Sequence, residues 1–173
     1  MSSLGFKVGD TVVYPSHGVG QITSEETQIV GGNQINVFVI SLNKDKLTLR
    51  VPVKRATAVG LRQVCTKEYI TSMINTLKST PKTTKGMWSK RAQEYEMKIN
   101  SGDLVQIAEV IRDLFKNVED PDRSYSERII FEAALNRLAG EYAAVEVVDH
   151  KSAIEKIKLI LYNSEAANNL VMV

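Results

Sequence analysis

Thr66-Lys67-Glu68-Tyr69-Ile70-Thr71-Ser72-Met73-Ile74-Asn75-Thr76-Leu77 is the stretch at which the chain changes period. Ile70, Met73, Ile74 and Leu77 fall at i, i+3, i+4 and i+7, the spacing that gathers apolar side chains on one helical face. Thr66 is placed to cap the first turn. Immediately upstream the pattern differs. Leu47-Thr48-Leu49-Arg50-Val51 alternates apolar and polar before Pro52 stops it, which predicts a strand with Leu47, Leu49 and Val51 inward and Arg50 on the outer face.

Working toward the N-terminus, strands are predicted over Val8 to Tyr14, ended by Pro15, and then over Gln21 to Thr23 and Thr27 to Val30. Gly31-Gly32-Asn33 is a hairpin signal, and the β-branched run Ile35 to Ile40 follows it. Asn43-Lys44-Asp45 reads as a turn, and a fifth short strand fits near Ala56 to Leu61. Short strands joined by tight turns in so few residues point to a small SH3-like or Tudor-like β-barrel, a form that closes most of its edges.

Toward the C-terminus the helical period persists. Ser89 is a candidate cap for a helix with Ala92, Tyr95 and Ile99 inward, and Trp88 stands at its entrance. Ser101-Gly102-Asp103 opens a third helix with Leu104, Ile107, Ala108, Ile111, Leu114, Phe115 and Val118 apolar, broken at Asp120-Pro121-Asp122. Ser124 and Glu127 form a capping box for a fourth helix reaching about Val145. Asp149 can cap a fifth with Ile154, Ile157 and Leu161 inward, and the tail from Ser164 is expected to fray. The fold class is α+β: a β-barrel over residues 1–62, a five-helix domain over 63–163, and a frayed tail over 164–173. A run of strands followed by a run of helices also allows one α+β domain with a shared core.

Composition excludes several function classes. Of 173 residues, one is cysteine and two are histidine, so an internal disulfide and a zinc or iron–sulfur centre are disfavoured. No run approaches the roughly 18 apolar residues of a membrane span. Met1-Ser2-Ser3-Leu4-Gly5-Phe6-Lys7 lacks the order of a signal peptide, so a cytoplasmic protein is expected. Gly18-Val19-Gly20 lacks the third glycine and following helix of a dinucleotide site. Cys65 with His17 or His150 has no local signature of a nucleophile and its base. Neither an enzyme nor a protein with a cofactor or small-molecule substrate is expected.

The net charge of +2 conceals an uneven distribution: +2 over residues 1–60, +5 over 61–100 and −5 over 101–173. Lys78, Lys82, Lys85, Lys90 and Arg91 lie in one stretch with no acid. That stretch reads either as a solvated loop or as a polyanion contact. Trp88, the single tryptophan, sits inside it at a helix start. There the indole either staples the helix to its core or faces a nucleic acid, where helix-start amides and basic side chains favour phosphate.

Phe6-Lys7-Val8-Gly9-Asp10-Thr11-Val12-Val13-Tyr14-Pro15 with His17-Gly18, then Leu49-Arg50-Val51-Pro52, Trp88-Ser89-Lys90-Arg91, Ser101-Gly102-Asp103 and Ala108-Glu109-Val110-Ile111-Arg112-Asp113-Leu114 together resemble the CarD/CdnL family of bacterial transcription regulators. The resemblance runs over about residues 6–163, in the family's order and spacing. The barrel segment alone is less specific, because the transcription-repair coupling factor shares it.

The resemblance implies a Tudor-like domain that binds the RNA polymerase β subunit by strand-to-strand contact. It also implies a helical domain that meets promoter DNA at the upstream edge of the bubble and stabilises the open complex. Arg50, with Val51 and Pro52 beside it, matches a basic polymerase contact. Gln28 stands where some relatives carry a second arginine. Trp88 matches a minor-groove wedge at the upstream fork, with Lys90, Arg91 and Lys85 at the DNA surface. The alternative function is a Tudor-type peptide reader without a DNA role, which needs an aromatic cage drawn from Phe6, Tyr14 and Phe38.

Overall fold

Thr11–Tyr14 (β1), Gly18–Val30 (β2), Asn33–Leu42 (β3), Leu47–Pro52 (β4) and Arg62–Gln63 (β5) form one antiparallel sheet in the order β4-β3-β2-β1-β5. The computed structural model describes residues 5–42, 46–82, 86–118 and 124–171. The chain divides into two compact units, Met1–Val64 and Cys65–Val173. The turn expected at Asn43-Lys44-Asp45 and the helix break at Asp120-Pro121-Asp122 lie outside the described residues.

The first unit has the SH3/Tudor-like architecture. The two segments expected around Gln21 and Thr27 are one long strand, β2, with a bulge between Ile22 and Ser24. Its first four residues pair with β1, and from Gly20 onward it pairs with β3. Thr23 is the additional residue, and its hydroxyl donates to Val39 O at 3.2 Å. Because side chains alternate with period two, an inserted residue switches every later side chain to the other face. Ile22 lies opposite Ile40 on the inner face, whereas Ser24 lies opposite Val39 on the outer one.

Gly20 sits where β2 is paired on both sides, opposite Val12 and Leu42. A Cβ there would come within 2.8 Å of Ser41 O. The core holds Phe6, Val12, Ile22, Phe38, Ile40, Leu42, Val51, Val53, Ala56 and Leu61. The strand expected at Ala56 to Leu61 is instead a 3-10 turn, Val53–Arg55, followed by further turns. Amides fold back there in short helical bonds, Val59 N to Arg55 O and Leu61 N to Ala56 O, each 3.0 Å. The strand itself, β5, comes later and pairs with Val12 and Val13 of β1.

The second unit contains Lys67–Lys78 (α1), Trp88–Asn100 (α2), Leu104–Val118 (α3), Tyr125–Glu146 (α4) and His150–Val171 (α5). Three expected caps are formed: Thr66 accepts from Tyr69 N, Ser124 from Glu127 N and Asp149 from Ser152 N. Ser89 is not a cap. α2 begins two residues earlier than expected, with Met87 in the cap position making no side-chain bond. The C-terminal segment also differs: α5 runs past Ser164 to Val171, and Ser164 Oγ donates to Lys78 O at 2.9 Å. That bond gives Ser164 a partner distant in sequence.

The helices enclose one core built from Met73 and Leu77 of α1, Tyr95 and Ile99 of α2, Ile111 and Leu114 of α3, Phe131 and Leu138 of α4, and Ile157 and Leu161 of α5. Among the described residues Arg112 and Glu141 are buried with it, and the side chain of Asp113 is 7% exposed beside Arg112. Glu141 accepts a 2.8 Å hydrogen bond from Cys65 N, so mid-helix α4 holds the first residue of the unit. No helix among the described residues is long and apolar enough to cross a membrane, and none of their His, Cys, Asp and Glu side chains group as a metal site.

Candidate functional site

In the sheet unit, directly opposed residues share a face. The pairs Val39 with Arg50, Val37 with Pro52, Val37 with Glu26 and Gln28 with Ile35 therefore assemble an outer surface on β2, β3 and β4. Arg50 and Glu26 stand on the two strands flanking β3 and meet across it, Nε to Oε2 at 3.6 Å. Between them run Val37 and Val39, buried even though they lie on the outer face. The ion pair itself is half-exposed, 51% and 46%, and an exposed pair of this kind contributes about 0–1 kcal/mol. Arg50 is thus available to another molecule.

The other residues singled out beside Arg50 differ in their placement. Pro52 and Gln28 are half-buried on the same outer face. Val51 is 5% exposed and belongs to the core, as the alternation of Leu47, Leu49 and Val51 predicts. The reason is the strand period: Arg50 outward forces Val51 inward. What Val51 can offer is backbone, because β4 is a terminal strand of the sheet, and a terminal strand presents unpaired amides and carbonyls. Glu26, Val37 and Val39 complete this surface and were not apparent in the sequence, since the bulge at Thr23 sets which β2 side chains share the face.

Phe6 and Phe38 meet edge to face at 6.3 Å inside the core. Of the three aromatic side chains of this unit, only Tyr14 lies outside the fully buried set, and it packs on His17 at 5.3 Å. Tyr14 is therefore the one aromatic side chain of this unit left to line a cage.

In the helical unit, Trp88 is the first residue of α2 and half-buried. Its Nε1 donates to Ser126 Oγ of α4 at 3.3 Å, its ring lies 6.3 Å from Tyr95, and the Arg91 guanidinium lies 5.6 Å from its centroid. The indole is both a staple, packed against the core, and a partly open surface. Arg91 follows it inward, donating from Nη2 to Tyr95 OH at 3.4 Å, while Lys90 is exposed. Lys85 lies outside the described residues.

The start of α2 differs from those of α1 and α4. Those helices have a side-chain cap and a glutamate in the first turn; α2 has neither. A helix start without an acid or a side-chain cap keeps the positive end of its dipole uncompensated by the helix's own residues, an arrangement that favours anionic oxygen.

Two family matches divide the chain. Residues 6–65 match the CarD-like/TRCF RID domain, and residues 72–158 match the CarD C-terminal domain. A protein of Bacillus subtilis (strain 168) described as "Putative transcription factor YdeB" is 23% identical over 146 residues, which cover 84% of this chain and 95% of the relative. Among solved structures, the solution NMR structure of the 72-residue N-terminal domain of Myxococcus xanthus CarD is 30% identical, covers 36% of this chain and 84% of that one, and superposes with a TM-score of 0.30.

Proposed function

The chain belongs to the CarD family, a family of transcription factors, and from that premise we propose that it binds the β subunit of RNA polymerase and stabilises the promoter open complex. The sheet unit docks by the outer face around Arg50 and Pro52, extended by backbone pairing along the terminal strand β4. The helical unit contacts DNA at the upstream edge of the bubble through Trp88, Lys90 and Arg91, with Lys85 adjoining. The work is done in the cytoplasm without catalysis.

The observation that carries this reading is the setting of Trp88: a half-buried indole, pinned by Ser126 and Tyr95, at a helix start without a side-chain cap beside Lys90 and Arg91. A pinned ring loses little freedom when it meets a base. At a partly melted junction the bases are already unstacked, so a wedge there is less costly than in intact duplex. It therefore binds the open form better than the closed one and shifts the equilibrium by that difference.

Three to five phosphate contacts give a salt slope of only roughly −3 to −5, so DNA binding by the free protein is weak. The polymerase tether supplies local concentration at each promoter.

The test is a pull-down with core polymerase followed by footprinting of the complex on promoter DNA. Co-purification with the β subunit and protection at the upstream bubble edge are expected. A protein that neither co-purifies with polymerase nor alters the footprint has another function.

A further inference from the structure

Arg112 and Asp113 interrupt the most regular apolar helix of the chain, among Ala108, Val110, Ile111, Leu114 and Phe115. Both side chains are 7% exposed, and they bond to each other, Arg112 Nε to Asp113 Oδ1 at 2.8 Å. Taking two charges out of water is costly, and a buried ion pair is seldom more stabilising than apolar residues of the same size. Stability of the core is therefore a poor reason for this pair, and its partners supply a better one.

Among the described residues, the pair's further side-chain hydrogen bonds go to the segment that leaves α1. Arg112 Nη1 donates to Ser79 Oγ at 2.8 Å, and Asp113 Oδ1 accepts from Lys82 N at 2.9 Å. From the other side Ser164 Oγ of α5 donates to Lys78 O. Lys78, Ser79 and Lys82 are thus held by α3 and α5, and Trp88 follows six residues beyond Lys82 in the sequence. Lys78 and Lys82 are themselves members of the acid-free basic stretch, and the Lys82 side chain is exposed while its amide is held.

The geometry points to Arg112 and Asp113 as positioning residues for DNA contact: a buried pair that holds Ser79 and the Lys82 amide and so presents the exposed Lys82 side chain to the DNA backbone. This rests on the reading that the helical unit meets DNA. Arg112 neutralises Asp113, so the anchor adds no negative charge to a segment that must attract phosphate. Two bonds to one short segment, one to a side chain and one to an amide, define its direction better than either alone.

The test uses the full chain with Arg112→Met and Asp113→Ala together, which removes the pair without leaving a lone buried charge. Amide exchange at Lys82 is measured, along with the salt dependence of binding to a forked promoter duplex and the open-complex lifetime with polymerase. The fold and polymerase pull-down are expected to persist, the Lys82 amide to lose protection, and the salt slope to fall by about one phosphate contact. Open-complex lifetime should shorten by between about twofold and thirtyfold, the range of couplings of about 0.5–2 kcal/mol.

A folded variant with unchanged slope and lifetime overturns the inference. The DNA reading itself then still stands if Trp88→Ala shortens the lifetime, and falls if Trp88→Ala is also silent. Should the double variant not fold, Ser79→Ala decides, because it removes the Arg112 contact at an exposed position. A reduced slope in that variant supports the anchor, and an unchanged one overturns it.

Discussion

Trp88 Nε1 donates to Ser126 Oγ at 3.3 Å, fastening the first residue of α2 to the first turn of α4. The bond sets the tilt of a half-buried ring that also meets Tyr95 and Arg91, so the direction in which the indole faces is a property of two helices. Removing the ring should affect function more than fold. Trp88→Ala is expected to shorten open-complex lifetime about fivefold or more, since stacking on one base is worth about 1–3 kcal/mol, while pull-down of polymerase is unchanged. Single-round transcription with a competitor measures the lifetime, and an unaltered lifetime removes the wedge role.

Arg50 and Glu26 allow the polymerase contact to be separated from the stability of the sheet. Arg50→Glu places two acids together across β3, yet at half-exposed positions the fold should lose no more than about 1 kcal/mol. Co-purification with the β subunit should be lost. The exchanged variant, Arg50→Glu with Glu26→Arg, restores the ion pair but moves the positive charge to β2, and recruitment is expected to stay low. Full recruitment by either variant excludes Arg50 from the interface.

Val147 ends α4 in the left-handed region, φ 56 and ψ 52, with its amide bonded to Ala143 O. A β-branched residue is strained there, whereas glycine is not. Because Val147 is 88% exposed, little apolar burial is lost on removing it. Val147→Gly should stabilise the helical unit by about 0.5–1 kcal/mol, readable as a rise in thermal midpoint of a few degrees. A lowered midpoint would show that the side chain holds α4 to α5 in some other way.

Asp149 caps α5, and its carboxyl is held below the usual 3.8, chiefly by the hydrogen bond from Ser152, with Lys151 adding a smaller favourable charge. A lowered folded value means that the unfolded chain binds the proton more readily, so stability rises with pH through this range. The cap's contribution is complete above about pH 4 and fades as pH falls through the folded value. The stability difference between the wild type and Asp149→Ala should therefore be constant near neutrality and shrink below that point. Urea titrations of both proteins over an acid series measure it, and a pH-independent difference would rule out the ionised cap.

Much of the fold was legible because its signals are local. The change of period at Thr66, the caps at Thr66, Ser124 and Asp149, and the inward face of α3 each depend on residues a few positions apart. Arg50 outward was legible for the same reason, and Val51 inward follows from it, although the family resemblance grouped the two as neighbours at one interface. The start of α2 was misplaced by two residues because serine is a good cap by type, whereas here Met87 holds the cap position and the chain enters the helix at Trp88.

The sequence by itself determined the kinds of element, their order, and the concentration of positive charge around Trp88, all of which follow from spacing and composition. Only the tertiary structure decided which charges are buried and which side chains share a face. The Thr23 bulge turns Glu26 and Gln28 outward only because β3 pairs beside it. Arg112 meets Ser79, Glu141 meets Cys65 and Trp88 meets Ser126 across separations of 33, 76 and 38 residues. A buried charge is tolerable only where distant partners satisfy it, and no local pattern records where the chain will return.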